Sequence, residues 1–180
     1  MKGIVFTELV EFVEDQFGYK TADDMLEASM MEHKGAYTQG GNYPFEELVA
    51  ILTRLSKSVD LSVETLIEVY ARHLFGRIVM LYPKITDGFQ SVLEFISVVD
   101  TFIHPEVKKL YPEAELPTFH LVSLENNILV IDYHSTKPLY PMAVGLMLGA
   151  SDYFKQSIDV DYEINALSHE SSARFTVKLI

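Results

Sequence analysis

The chain has 180 residues and no cysteine. Disulfides, thiolate metal sites and a cysteine nucleophile are therefore excluded, and the composition fits a cytoplasmic protein. Long apolar runs are lacking too. The stretch PMAVGLMLGA, residues 141–150, reaches only about half of the roughly 20 residues that a membrane span needs, so no membrane partner is expected. Positive charge is scarce: 14 lysines and arginines face 26 acids, a formal net charge of -12. A chain this acidic repels phosphate backbones. Lys108 and Lys109 are an isolated pair, not a basic patch, so nucleic acid is not an expected partner. Solubility, or a basic partner surface, accounts for the acidity. HExxH, GxSxG, P-loop and dinucleotide fingerprints are all missing. The opening segment carries Glu8, Glu11, Glu14 and Asp15 and reads as a helix, not as a secretory signal.

What is present is an ordinary globular mix, 48% hydrophobic and 22% charged, long enough for one domain over residues 1–180. The first two-thirds reads helical. Ile4, Val5, Leu9, Phe12, Val13 and Phe17 keep a helical period that stops at Gly18. A second helix is predicted over 21–31 with Thr21 as its cap. The glycine-rich stretch 34–44 reads as a loop. A third helix has Pro44 just inside its start, and a fourth opens on Ser62 and runs to Pro83. A long apolar stripe then extends from Phe89 through Val92, Ile96, Val99 and Ile103 to Leu110. The character changes near 113–117. Two alternating runs flank Glu125-Asn126-Asn127, a hairpin signal. An apolar helix follows at about 140–155, and two more alternating runs surround a polar turn at 168–172. The order predicts an α+β fold: a mostly helical N-terminal lobe, then a C-terminal lobe with a four-stranded antiparallel sheet and a helix.

Few residues announce chemistry. The six histidines form no paired-ligand spacing, so no conventional zinc site is signalled. Gly145 and Gly149 read as a close packing of helix on sheet. His104 stands out because it precedes Pro105, and proline disfavours a helical predecessor. It is expected at a kink beside buried Phe102 and Ile103. One reading is a histidine at the core edge that bonds a local carbonyl. The other is an axial ligand, since a neutral imidazole facing an apolar cavity suits a haem iron. Tyr133, Ser135 and Lys137 alternate on one strand and so share a face with Leu129 and Ile131. They read either as the solvated side of a sheet or as three donors for the two carboxylates of a haem.

Three stretches then carry a family resemblance: MKGIVFTELVEF at the start, HPEVKKLYPEAELP from His104, and YHSTK from Tyr133. Together they resemble the haem–nitric oxide/oxygen binding (H-NOX) family in its stand-alone bacterial form, related to the sensor domain of soluble guanylate cyclase. The resemblance spans essentially the whole chain. It implies haem b held between two lobes, with a helical subdomain over about 1–60 and the pocket helices and α/β subdomain over about 61–180. By the resemblance, His104 is the iron ligand and Pro117 presses on the haem. Tyr133 and Ser135 match the family's propionate motif, whose closing arginine is Lys137 here. That change keeps the charge but replaces a rigid fork with a point charge on a flexible stem.

The distal side is implied in the same way. The tyrosine of oxygen-binding members falls at Met142, and the family's other distal polar position falls at Leu74. Tyr140 lies two residues too early. Leu9, Leu74, Ile78, Met142 and Leu146 would form an apolar wall. The resemblance therefore implies a sensor, not an enzyme, that binds NO and CO at ferrous haem and disfavours oxygen. By the resemblance, NO weakens or breaks the iron–His104 bond, and the helix carrying His104 shifts against the sheet lobe. With no output chemistry in the chain, the implied partner is a separate histidine kinase or cyclic-di-GMP enzyme, and the implied state is a monomer. A haem-free interaction module with the same fold stays open. So does an enzyme pairing a histidine with Glu106 or Asp132, although no nucleophile–base–orienter set is visible.

Overall fold

Gly18 ends the first helix as the sequence predicts. Helix α1 (Gly3–Phe17) stops there because Gly18 takes φ 86°, where a side chain would be strained, and its N–H donates to the Glu14 carbonyl. The structure, a computed structural model, describes residues 1–27, 32–33, 35–165 and 171–180. Helix α2 (Tyr19–Leu26) follows at once. Thr21 is not its cap. It lies within the helix and donates its hydroxyl to the Phe17 carbonyl at 2.9 Å, because Gly18 has already turned the chain. The predicted continuation over 28–31 falls outside the described residues. Helix α3 (Phe45–Val59) has Pro44 at the capping position, one residue before its first turn. Helix α4 (Val63–Leu81) is capped as expected: the Ser62 hydroxyl accepts from the Thr65 N–H at 3.1 Å.

The stripe from Phe89 to Leu110 breaks just before His104, where the proline predicts a kink. Helix α5 (Val92–Ser97) gives way to a wide π turn (Val99–Ile103), and helix α6 (His104–Leu110) resumes the ordinary pitch. Pro105 supplies the cause, since it has no N–H to continue the ladder. The turn before it widens, and the His104 N–H reaches back to the Val99 carbonyl. The extra residue in that turn rotates the stripe. Val92, Ile96 and Ile103 stay buried, whereas Phe102 and Leu110 are exposed. Phe102, expected in the core beside His104, is displaced from it by this rotation.

Strands β1 (Thr118–Glu125) and β2 (Ile128–Ser135) form the expected hairpin. Asn126 and Asn127 join them at φ 52° and 64°, the left-handed values that a two-residue turn between twisted strands requires. Helix α7 (Tyr140–Phe154), β3 (Ile158–Ile164) and β4 (Ser171–Leu179) complete the α+β fold. The sheet is antiparallel in the order β1-β2-β4-β3. Of the turn predicted at 168–172, residues 168–170 fall outside the described residues, and Ser171 and Ser172 already belong to β4. Register defines the inner face. Leu129, Ile131 and Tyr133 stand opposite Val177, Phe175 and Ala173, and all six are buried. Burying each large side chain there contributes about 1.5–3 kcal/mol.

Two cores result. One joins α1–α3 to Leu66, Tyr70 and Leu74 of α4. The other joins Phe75 and Val79 of α4 to α5, α7 and the sheet. They divide within α4, between Leu74 and Phe75. Gly145 and Gly149 face α4, not the sheet, which corrects the expectation from their spacing. A Cβ on Gly145 would lie 2.2 Å from the Glu68 carbonyl oxygen, and one on Gly149 would lie 2.7 Å from that of Arg72. Arg72 then grips Asp152 of α7 through two hydrogen bonds of 2.6 Å. Among the described residues no helix is long and apolar enough to cross a membrane.

This packing separates two glycine substitutions. Gly145→Ala is expected to cost about 1–3 kcal/mol in urea unfolding, because two backbones must part. Gly76→Ala, in the partner helix α4 with nothing within 4 Å of a new Cβ, is expected to gain about 0.5–1 kcal/mol from helix propensity. Equal effects would show that α7 does not press on α4.

Candidate functional site

Residues of both cores bound a cavity of about 1770 Å³. That exceeds the roughly 300–1,000 Å³ that drug-sized ligands occupy. Helices α4 and α7 supply one apolar wall, with Leu74, Phe75, Ile78, Met142, Leu146 and Met147. The π turn and α6 supply Val99, Phe102, Ile103, His104 and Val107. Leu110 lines it as well, so both exposed residues of the stripe border this cavity. Pro117, Phe119, Tyr133, Ser135 and Lys137 line it from the hairpin side.

His104 opens α6 directly after the π turn, in helical conformation despite the proline that follows. Its side chain is 15% exposed, and its ring lies 5.9 Å from that of Phe119. The Nδ1 atom lies 3.4 Å from Asp100 Oδ1, one helical turn back. Burial pushes the imidazole below its usual range, and Asp100 pulls it up by less. The ring is thus neutral at pH 7. With the carboxylate as acceptor, Nδ1 carries the proton and Nε2 the lone pair, the form in which imidazole binds a metal.

The strand-end donors also bond one another. Tyr133, fully buried, donates its hydroxyl to the Lys137 carbonyl at 3.4 Å, and the Lys137 N–H donates to Ser135 Oγ at 3.1 Å. Burial pushes the Tyr133 phenol up, so it stays a donor. Lys137 lies beyond the end of β2. Its ammonium pairs with Glu115 and sits 6.0 Å from the Phe45 ring centre.

Charge at the cavity reverses that of the chain. Lys2, Lys84, Lys108, Lys109 and Lys137 line it, against Glu106, Glu113 and Glu115. A protein of net charge -12 thus places a surplus of cationic residues here, and among the described residues no arginine contributes to it.

Nine of the ten residues expected at the site share this one cavity: His104, Pro117, Tyr133, Ser135 and Lys137, with Leu74, Ile78, Met142 and Leu146. Leu9 does not. It is buried in the N-terminal core, and the residues of α1 that reach the cavity are Ile4 and Val5. Val5 lies one helical turn before Leu9 in α1. Tyr140 is turned away, stacked on Tyr162 at 5.7 Å. Sequence reading missed Asp100, Phe119 and Glu115. Only Asp100 left a signal, its spacing of four from His104. It also missed Glu32, His33 and Glu47, whose ligand atoms lie within 4.8 Å of one another. There the buried Glu47 accepts from His33 at 2.7 Å and from the Tyr37 hydroxyl at 2.8 Å, which explains its carboxylate as a structural anchor.

Volume, a neutral imidazole and cations around apolar walls all fit a large amphiphilic ring bearing carboxylates and an iron. This defines the class as haem proteins. The comparisons agree. The chain matches the Haem-NO-binding family model over residues 2–162. It is similar to the unliganded Fe(II) H-NOX protein of K. algicida, at 32% identity and TM-score 0.90, over 100% of this chain and 97% of that one. It is also similar to the H-NOX protein of Shewanella woodyi, described with IWP-051 in the Fe(II)CO state, at 34% identity and TM-score 0.84, over 99% and 94%. A third is the H-NOX protein of S. oneidensis in the Fe(II)NO state, at 25% identity and TM-score 0.90, over 100% and 99%. No curated protein matches the chain. The chain belongs to the Haem-NO-binding, or H-NOX, family, whose cofactor is haem.

One contact ties α4 to α6 across the cavity lining. The Tyr82 and Tyr111 hydroxyls lie 2.8 Å apart, and this bond, with burial second, pushes the Tyr111 phenol up to about 12. Tyr82→Phe and Tyr111→Phe are each expected to cost about 0.5–1.5 kcal/mol. The double variant should cost no more than the worse single one. Strict additivity in urea unfolding would show that the two hydroxyls act apart.

Proposed function

We propose that this chain is a haem-based sensor that binds nitric oxide at ferrous haem, disfavours oxygen and signals to a separate protein. The observation that carries this reading is the apolar wall of α4 and α7. Leu74, Phe75, Ile78, Met142 and Leu146 line it without one hydrogen-bond donor in their side chains. Bound oxygen gathers negative charge and needs a donor, whereas nitric oxide on ferrous iron needs one far less. Bound haem would supply the iron at which a diatomic gas is held.

The chain's own residues divide the remaining work. His104 would offer Nε2 to the iron, with Asp100 fixing its tautomer. Tyr133, Ser135 and Lys137 would hold the carboxylates, and the apolar walls would exclude water from the ring. Helix α6 suits a moving part. None of its side chains is fully buried, and it begins at a π turn, so shifting it breaks few packed contacts. A ligand that changes the pull on His104 would bias this lightly held element. The shift would reach α4 through Tyr111 and Tyr82. On this reading the output belongs to a separate histidine kinase or cyclic-di-GMP enzyme, and the chain itself is not catalytic.

The test begins with the purified chain and added haem. Wild type should develop a Soret band. His104→Ala should lose its axial signature, and imidazole should restore it. No haem uptake by the wild type would sink this function and leave an interaction module that keeps the fold.

Oxygen gives a second expectation. The reduced protein should take up nitric oxide, and in air it should show no persistent oxygenated spectrum. A persistent one would mean that a hydroxyl of the cavity, Tyr82, Tyr111 or Tyr133, reaches the gas.

A further inference from the structure

Lys137 is the residue at which this chain departs from its family's propionate motif, and it already holds a carboxylate. Its ammonium is paired with Glu115. The two halves of the pair are unequal: the Lys137 side chain is 20% exposed and that of Glu115 is 73% exposed. The lysine is anchored, with its N–H on Ser135 and its ammonium near the Phe45 ring. Most of the glutamate side chain already faces water. Other cavity lysines differ. Lys109 pairs with Glu106 of its own helix, three residues back. Lys2 lies over the Tyr111 ring at 5.5 Å. Among the described residues, only Lys137 joins the end of β2, where Tyr133 and Ser135 stand, to an acid on another segment.

Lysine presents a compact charge with three donors, and a single carboxylate satisfies that charge. Arginine spreads its charge over a rigid fork that can hold two acceptors apart, whereas lysine offers one point charge, around which two carboxylates crowd and repel each other. A carboxylate arriving at Lys137 also meets the negative charge of Glu115 at close range. We propose that Glu115 competes with a haem carboxylate for Lys137, and so sets how readily this chain takes up and releases its cofactor. This rests on the haem reading above. The pair acts as an exchangeable clamp: Glu115 leaves as the ligand carboxylate arrives, and returns as it departs. The hydrogen bond from Lys137, which with its charge holds the Glu115 carboxyl below its usual range, would then be lost on loading.

The test is haem transfer from the reconstituted protein to an excess of apomyoglobin, followed at the Soret band. Glu115→Gln is expected to slow haem loss by about two- to fivefold, the range that an exposed ion pair commands. The gain should shrink at high salt. Lys137→Met should lose haem faster, and adding Glu115→Gln to it should change nothing further. By carbon NMR, the Glu115 carboxyl should titrate lower in the haem-free protein than in the loaded one. Haem loss from Glu115→Gln at or above the wild-type rate would overturn the competition and make Glu115 a support for Lys137 instead. Unaltered Glu115 titration on loading would overturn it independently. Failure of the wild type to take up haem would sink the haem reading itself, a result distinct from either.

Discussion

Contact between the backbones of α4 and α7 is the constraint on which the rest depends. Gly145 and Gly149 let the two helices approach until a single added carbon would strike a carbonyl oxygen. Helix α4 also carries both cores, turning Leu74 to one and Phe75 to the other. Pinning α7 to α4 therefore fixes the sheet lobe against the helical lobe. It also sets the apolar wall, since Leu74, Ile78, Met142 and Leu146 come from these two helices alone. Arg72 and Asp152 lock the pair at its surface.

Against this rigid wall stands a segment built on different terms. The π turn before Pro105 delivers His104 to the cavity, and α6 continues from it with no fully buried side chain. One side of the cavity is thus over-determined and the other is held by few contacts. Sensing needs that inequality. A site rigid throughout would bind without responding, and a site loose throughout would bind poorly. Burial keeps the His104 imidazole neutral, so the loose side still presents a defined chemical group.

Much of the fold was legible because it rests on local rules. Gly18, Ser62 and the Asn126-Asn127 turn act through their own backbone angles or caps, and each stands where its residue type indicates. Thr21 misled because a neighbouring glycine had already done the work of a cap. The stripe from Phe89 to Leu110 breaks at His104 as its proline indicates, but period alone cannot register that the break is a widened turn. Gly145 and Gly149 signalled close approach, but a spacing carries no information on which neighbour approaches.

The candidate site was legible where a short motif fixed the geometry. Tyr133 and Ser135 follow from strand alternation, and His104 from its proline. Glu115 and the Tyr82–Tyr111 pair join segments far apart in sequence, and such contacts leave no periodic trace. That Val5 and not Leu9 lines the cavity is equally a matter of tertiary placement.

The reversal of charge at the cavity has a consequence for selectivity of environment. A field that is positive at one place on a strongly negative body acts on ions and ignores neutral molecules. A dianionic cofactor would feel it during approach and turn its carboxylates towards the lysines before contact. A diatomic gas would not feel it at all. Ionic strength can therefore govern how the chain is furnished without touching what it later detects, and the two events answer to separate physical variables.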